Sequence, residues 1–118
     1  MKKILIVDDA VFMRTVLKNI LVKEGYEIFE ASNGLEAIQE FNRHQPDLIT
    51  MDITMPEMDG IMALKEILKL DSDAKVCMVS AMGQESIILE SIKQGAKDFI
   101  VKPFIPTDVL DKVKKLSA

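Results

Sequence analysis

The sequence contains one cysteine, one histidine and no tryptophan, and these scarcities exclude several kinds of site. Cys77 has no partner for a disulfide within the chain, and its apolar neighbours in KVCMVSA indicate a small buried hydrophobic residue rather than a catalytic thiol. His44 alone cannot build a zinc site or a serine–histidine triad, and the polar run NRHQPD predicts that it is solvated. Glycine-rich phosphate loops of the Walker or dinucleotide type are also missing.

Long apolar runs are missing as well. No stretch approaches the ~20 apolar residues of a membrane helix, and acids interrupt the N-terminal MKKILIVDD before the core of a signal peptide can form. We therefore expect a cytoplasmic protein that does not insert into membranes. A net charge of −4 argues against broad nucleic-acid binding, although DKVKKL near the end is a small basic patch.

The apolar residues that are present predict a parallel β-sheet. The length of 118 residues and the 48% hydrophobic content suit one domain with a real core, and we assign residues 1–118 to it. Four of the apolar runs are continuous, as in strands buried on both faces, whereas the second contains acids and predicts an edge strand. The runs are Ile4–Val7, Tyr26–Ala31, Leu48–Met51, Val76–Val79 and Phe99–Val101.

Segments with helical spacing lie between and after these runs. Asn33 and Glu36 are spaced as a helix N-cap and its N3 partner, while Gly25 occupies a C-cap position. Gly95 stops the fourth helical stripe, and Pro106 falls in the first turn of the fifth. Strand and helix thus alternate five times, which predicts an α/β fold with helices on both faces of the sheet.

Polar residues follow the predicted strands at their carboxyl ends, where open α/β sheets bind ligands. An acid pair ends the first strand, a single acid ends the third, a serine ends the fourth and a lysine ends the fifth. Pro56 and Gly60 then break the chain after the third strand. The site candidates are Asp8, Asp9, Asp52, Ser80 and Lys102.

These residue types together favour a site for a phosphoryl group. Three carboxylates on one rim repel each other, and a hard divalent cation such as Mg²⁺ resolves that conflict. Lys102 adds a fixed positive charge and Ser80 adds a hydroxyl donor. Asp52 is the candidate nucleophile, because a carboxylate can itself become an aspartyl phosphate.

Each of these residues also has an ordinary structural interpretation. Asp8 or Asp9 could cap the first helix, Ser80 could be another cap, and Lys102 could be a solvated charge. The case for a site depends on the acid pair, the single acid, the serine and the lysine all lying on one rim of the sheet.

The segments ILIVDD, DLITMDITMPEMDG, MVSA and DFIVKPF together resemble a response-regulator receiver domain over essentially the whole chain. Within that family, VDDAVFMR, SAMGQ and GAKDFIVKPF are similar to the CheY group of stand-alone chemotaxis regulators, in particular those of Gram-positive and thermophilic bacteria. The resemblance implies a flavodoxin-like (βα)₅ fold with strand order 2-1-3-4-5.

The resemblance also implies a role for each residue of the site. Asp52 would accept a phosphoryl group from a phosphohistidine. Asp9 and Asp52 would bind Mg²⁺ directly, Asp8 through water, and Thr54 through its backbone carbonyl. Lys102, held by a cis Lys102–Pro103 peptide, would pair with the phosphoryl oxygens, and Ser80 would donate a hydrogen bond to one of them.

The output implied by the resemblance is a conformational switch rather than metabolic catalysis. On phosphorylation Ser80 would move toward the phosphoryl group and Phe99 would turn inward, changing the face formed by helix four, strand five and helix five. The implied partners of a monomeric chain are a CheA-type histidine kinase and a FliM-like flagellar motor switch protein, and whether a CheY phosphatase also acts stays open from the sequence.

Two alternatives remain open from the sequence. The chain could be a phosphorelay intermediate that passes its phosphoryl group to a histidine phosphotransferase. It could also be a phosphatase of the haloacid-dehalogenase type, although such enzymes want a second acid two residues after the nucleophile, where this chain has Thr54.

Overall fold

The computed structural model describes residues 2–55 and 58–118, so the expected chain break at Pro56 lies outside the described residues. Strands and helices alternate along these residues, as the apolar pattern predicts. The strands are β1 (Lys3–Val7), β2 (Glu27–Ala31), β3 (Leu48–Asp52), β4 (Val76–Ser80) and β5 (Asp98–Val101). The helices are α1 (Val11–Val22), α2 (Gly34–His44), α3 (Gly60–Leu70), α4 (Glu85–Lys93) and α5 (Pro106–Ser117).

The strands form one parallel sheet in the order β2-β1-β3-β4-β5, which confirms the predicted topology. The three inner strands are buried almost throughout, and β2 lies at one edge as its two acids predict. The prediction that β5 is buried on both faces was wrong. It is the other edge strand, with Asp98 and Phe99 half-buried and Val101 37% exposed, because no further strand pairs beyond it in the described sheet.

Helices cover both faces of the sheet and create two apolar clusters. Alternate residues of each strand point to opposite faces, so Leu5 joins one cluster and Ile4 the other. α2, α3 and α4 bury residues in the first cluster, whereas α1 and α5 bury residues in the second. A fully buried leucine or isoleucine contributes roughly 1.5–3 kcal/mol relative to an exposed one. No helix among the described residues has the length and apolar composition needed to cross a bilayer.

The helix ends follow the sequence signals with two adjustments. Asn33 caps α2, since its Oδ1 accepts a hydrogen bond from the backbone N–H of Glu36 at 2.8 Å. The Glu36 carboxylate reaches back to the N–H of Ser32 rather than to that of the cap itself. Gly25 is not the C-cap of α1, because the helix ends at Val22 with Lys23 as the cap; Gly25 turns the chain two residues later at φ 87°.

His44 is packed rather than solvated, which corrects the expectation from its polar neighbours. Its ring stacks on Phe29 with 3.7 Å between the ring centroids, and its Nε2 lies 3.1 Å from Oε2 of Glu40 one helical turn earlier. The stack joins α2 to the edge strand β2. A local run of polar residues cannot reveal it, because Phe29 is distant in sequence.

Two of the three lysines in DKVKKL have acidic neighbours. Nζ of Lys112 lies 3.5 Å from Oδ1 of Asp98, and Nζ of Lys114 lies 3.4 Å from Oε1 of Glu24. The candidate basic patch is therefore partly neutralised. Cys77 is fully buried as predicted, and this burial raises the pKa of its thiol to about 12.

Candidate functional site

The carboxyl ends of the parallel strands bring the predicted site residues to one rim. Asp8 follows β1 directly, and Asp52 is the last residue of β3. Ser80 is the last residue of β4, and Lys102 follows β5. Asp52 and Ser80 thus end their strands as predicted, and each is paired in the backbone ladder, Asp52 opposite Val79 and Ser80 opposite Val101.

Three carboxylates converge at this rim. One oxygen from each of Asp8, Asp9 and Asp52 lies within 4.8 Å of the others. Asp8 and Asp52 are buried, whereas Asp9 is exposed at the mouth of the site. Burial and, next in size, the negative charge of Asp8 together raise the pKa of the Asp52 carboxyl to about 6, although Lys102 opposes the shift.

Lys102 supplies the positive charge of the site. Its Nζ lies 2.9 Å from Oδ2 of Asp8 and 3.6 Å from Oδ1 of Asp52. The side chain is only 22% exposed, so the interpretation of Lys102 as an ordinary solvated charge does not hold. The Lys102–Pro103 peptide is cis, as the family resemblance implies.

Asp8 is held in place at both its backbone and its side chain. Its backbone N–H donates to the carbonyl of Ala31 at 3.1 Å, and its Oδ1 accepts from the N–H of Ala10 at 2.9 Å. The alternative interpretation of Asp8 or Asp9 as the cap of α1 does not hold. The N-cap is Ala10, which has no side-chain cap, and Asp8 is oriented toward Lys102 instead.

The arrangement of oxygens fits a small hard cation. The acids outnumber Lys102 by three to one at the rim, and burial together with the charge of Asp8 raises the pKa of Asp52. Carboxylate oxygens are the ligands that Mg²⁺ prefers, and it commonly takes only one or two of them while keeping water in its other positions. Asp8, Asp9 and Asp52 are therefore suited to hold Mg²⁺.

Ser80 is fully buried, and its hydroxyl lacks a hydrogen-bond partner among the described residues. An unsatisfied buried hydroxyl costs roughly 1–3 kcal/mol, which makes it a candidate for a functional rather than a structural role. Ser80 follows Val79, the residue that pairs with Asp52 in the sheet, so its hydroxyl is a candidate to bind a ligand held at Asp52. The interpretation of Ser80 as a helix cap does not hold, since it belongs to β4.

Thr54 is exposed in the loop after β3, and a glutamine that sequence reasoning did not single out holds its side chain. Nε2 of Gln84 donates to the Thr54 hydroxyl at 3.1 Å, while Oε1 of Gln84 accepts from the N–H of Ala81 at 2.7 Å. One carboxamide thus links the loops after β3 and β4. Gln84 and Thr54 are 30 residues apart in sequence, so no local sequence pattern predicts their contact.

Gly60 allows the first turn of α3 to approach the backbone of Asp52. A Cβ at this position would overlap the carbonyl oxygen of Asp52. The N–H of Gly60 donates to the carbonyl of Ile53 at 2.8 Å, and Asp59 caps the helix through the N–H of Met62. The glycine that the sequence marked as a chain break is therefore a packing requirement of the site.

Phe99 lies half-buried at the edge of the sheet, between the core and an open cavity. The cavity, of about 450 Å³, is bounded by the loop after β4, by α4 and by β5. Nζ of Lys112 lies 4.4 Å from the centre of the Phe99 ring and also donates to the Phe99 carbonyl. Met82 and Leu89 line the same cavity and are 79% and 63% exposed.

Fold and site together define a protein with a buried acidic pocket at the strand ends of a doubly wound parallel sheet. The chain matches the response regulator receiver domain over residues 4–114. It is 56% identical over 117 residues to the chemotaxis protein CheY of Thermotoga maritima, covering 98% of each chain. It is 58% identical over 114 residues to CheY of Bacillus subtilis, covering 96% of this chain and 95% of the relative.

A solved structure of the CheX–CheY–BeF3–Mg²⁺ complex from Borrelia burgdorferi resembles the chain with a TM-score of 0.93 and 41% identity, covering 99% of this chain and 90% of that one. The chain therefore belongs to the response regulator receiver family and, within it, is a CheY-like chemotaxis response regulator. The phosphorelay alternative is not favoured, since the relatives at 54–58% identity are chemotaxis proteins.

Proposed function

We propose that Asp52 accepts a phosphoryl group and that the chain acts as a phosphorylation switch rather than as a turnover enzyme. The observation that carries the proposal is the meeting of Asp8, Asp9 and Lys102 around the buried Asp52 carboxylate. An Oδ atom of Asp52 attacks phosphorus, and the bond to the donor nitrogen or oxygen breaks. The leaving group departs with the electron pair, and an aspartyl phosphate remains.

Lys102 and Ser80 act on the incoming phosphoryl oxygens. Lys102 lies close to both buried acids, so its ammonium group can pair with a phosphoryl oxygen at Asp52 with little movement. The Ser80 hydroxyl has no competing partner among the described residues and is ready to donate to the same group. Both contacts strengthen as charge develops on those oxygens.

Mg²⁺ is the proposed cofactor, held by Asp8, Asp9 and Asp52 with the backbone carbonyl of Thr54 as a further ligand. When bound, it supplies positive charge to the phosphoryl oxygens and offsets repulsion among the acids. The acidic cluster and the Mg²⁺ named in the complex from Borrelia burgdorferi support this assignment. The Asp52 carboxyl must be ionised to act as a nucleophile. Its raised pKa disfavours ionisation, and a neighbouring cation favours it again.

The proposed output is a population shift at the face formed by α4, β5 and α5. A phosphoryl group that binds the Ser80 hydroxyl favours the conformation in which that hydroxyl has moved toward Asp52. Phe99 then turns inward from its half-buried position, which alters the adjacent cavity. Exposed Met82 and Leu89 give this face the apolar, adaptable character of a protein-binding surface.

The proposed partners follow the chemotaxis role. They are a CheA-type histidine kinase as phosphoryl donor, a FliM-like flagellar motor switch protein as target, and a phosphatase that removes the phosphoryl group. CheX in the Borrelia burgdorferi complex supports a partner in addition to the motor. We infer that the chain acts in the cytoplasm as a monomer, and gel filtration of the phosphorylated protein tests the latter.

Acetyl phosphate and MgCl₂ test this function without a kinase. Intact-protein mass spectrometry should show one added phosphoryl group on the wild type and none on Asp52→Asn. Asp47→Asn is the matched control, since Asp47 is an exposed aspartate just before the opposite end of the same strand and should not affect labelling. Labelling of Asp52→Asn equal to that of the wild type, or labelling unaffected by EDTA, would overturn the proposal.

Rapid multiple turnover of simple phosphate esters would instead favour the phosphatase alternative. That class wants an acid two residues after the nucleophile, and Thr54 stands there with its hydroxyl bonded to Gln84. We expect only the slow loss of phosphate that hydrolysis of the aspartyl phosphate produces.

A further inference from the structure

Arg14 on α1 binds the backbone beside the acidic pocket and a glutamate of the edge strand β2. Nη1 of Arg14 donates to the backbone carbonyl of Asp8 at 2.6 Å, and Nε of Arg14 lies 3.1 Å from Oε1 of Glu30 on β2. The Arg14 side chain is only 14% exposed, so these interactions are shielded from solvent more than a surface ion pair would be. Arg14 therefore connects the edge strand to the loop that carries the acid pair.

The carbonyl that Arg14 binds belongs to the peptide that joins Asp8 to Asp9. A peptide is planar, so holding its oxygen also sets the direction in which the chain enters Asp9. Asp8 has further restraints from Ala10, Ala31 and Lys102, whereas the Asp9 carboxylate has no hydrogen bond within the described parts of the chain. Of the three acids, Asp9 is the one that depends most on its backbone for its position.

We propose that Arg14 is a positioning residue for the divalent-cation site, acting through the Asp8–Asp9 peptide and anchored by Glu30. The inference rests on the proposed function, because it assigns Asp9 to the metal. Arg14 touches neither the cation nor the phosphoryl group. It lowers the cost of metal binding by keeping Asp9 within reach of Asp8 and Asp52. Partners that orient metal ligands in this way commonly change metal affinity by roughly 10–100-fold.

The sign of the effect separates this role from a purely electrostatic one. A positive charge near three carboxylates repels a cation, so removing it should tighten Mg²⁺ binding if charge alone matters. If position matters, losing the forked contact should weaken binding even when the charge is kept. Arg14→Lys keeps the charge and cannot hold both the Asp8 carbonyl and Glu30 with the same planar geometry.

Lys18 offers a matched control on the same helix. Its Nζ lies 3.5 Å from Oε2 of Glu30, and its side chain is 46% exposed. Lys18→Met removes an ion pair to the same glutamate but disrupts no hydrogen bond to Asp8. Glu30→Gln is the complementary variant, since it weakens the anchor while leaving Arg14 and the acids in place.

The experiment is an NMR titration of metal-free protein with MgCl₂, read at the backbone amides of Asp9, Ala10 and Ile53 in the folded state. Urea unfolding followed by circular dichroism identifies conditions in which every variant is folded. We expect Arg14→Lys to bind Mg²⁺ about tenfold more weakly than the wild type, Glu30→Gln to lie between them, and Lys18→Met to remain within about twofold.

The outcomes separate the two proposals. Wild-type affinity in Arg14→Lys, or an equal loss in Lys18→Met, would overturn the positioning role while leaving the function of Asp52 intact. Failure of the wild type to bind Mg²⁺ at the acid cluster would overturn the proposed metal site itself. Tighter binding by Arg14→Met together with unchanged binding by Arg14→Lys would show that only the charge matters, and would also overturn the positioning role.

Discussion

Replacing Asp52 with asparagine should make the metal-free protein more stable, because the wild-type carboxylate is held in an unfavourable place. The pKa of this carboxyl rises from 3.8 to about 6, through burial first and then through the charge of Asp8. A shift of about two pH units, at about 1.4 kcal/mol each, corresponds to about 3 kcal/mol. This shift already includes the opposing attraction of Lys102, so we expect a net gain of about 3 kcal/mol in the free energy of unfolding at pH 8.

The pH dependence of this gain has a definite sign. Between pH 4 and pH 6 the native state keeps the Asp52 proton while the unfolded state releases it, so rising pH favours unfolding of the wild type. Below pH 4 the carboxyl is neutral in both states and the two proteins should be about equally stable. The advantage of Asp52→Asn should grow through pH 4–6 and level off above about pH 7.

Urea unfolding in EDTA, followed by circular dichroism at a series of pH values, measures this difference. Adding MgCl₂ at pH 8 should stabilise the wild type more than Asp52→Asn and so narrow the gap, since a bound cation offsets the repulsion. A variant that is less stable than the wild type at pH 8, or a gap that does not change with pH, would refute the electrostatic account of the pocket.

Three further substitutions test other parts of the site. Ser80→Ala should leave the free energy of unfolding unchanged or raise it by about 1 kcal/mol, because the hydroxyl has no hydrogen-bond partner in the described structure. The same variant should bind beryllofluoride with Mg²⁺, a mimic of the phosphoryl group, more weakly in calorimetry. Strong destabilisation by Ser80→Ala would contradict this account. Lys102→Met should slow phosphorylation by acetyl phosphate by roughly 10²-fold, measured by mass spectrometry over time, and an unchanged rate would remove the lysine from the site. Gly60→Ala should destabilise the fold by roughly 1–3 kcal/mol in urea, because its Cβ would overlap the Asp52 carbonyl; wild-type stability would show that the turn yields easily.

Much of the fold could be predicted because the burial of each strand determines the pattern of apolar residues along it. Continuous apolar runs mark the inner strands, and acids mark β2 as an edge. The pattern reports burial rather than strand pairing, however. It indicated that Phe99–Val101 is buried on both faces, whereas Val101 is exposed at the edge of the sheet, because a short apolar run does not reveal whether another strand pairs beyond it.

The site could be predicted where its residues stand at strand ends, since topology alone carries Asp8, Asp52 and Lys102 to one rim. Residues that support them from a distance could not. Arg14 and Gln84 belong to helical or loop segments with unremarkable patterns, and their roles depend on contacts that only the folded chain creates. The packing of His44 against Phe29 escaped prediction for the same reason.

Locating the phosphoryl group tests the central claim most directly. Aspartyl phosphates are reduced by borohydride to homoserine, which peptide mass spectrometry assigns to a single position. After treatment with acetyl phosphate and Mg²⁺, the account predicts homoserine at position 52 and at no other aspartate. Reduction at Asp8, Asp9 or an exposed aspartate, with position 52 unmodified, would contradict it.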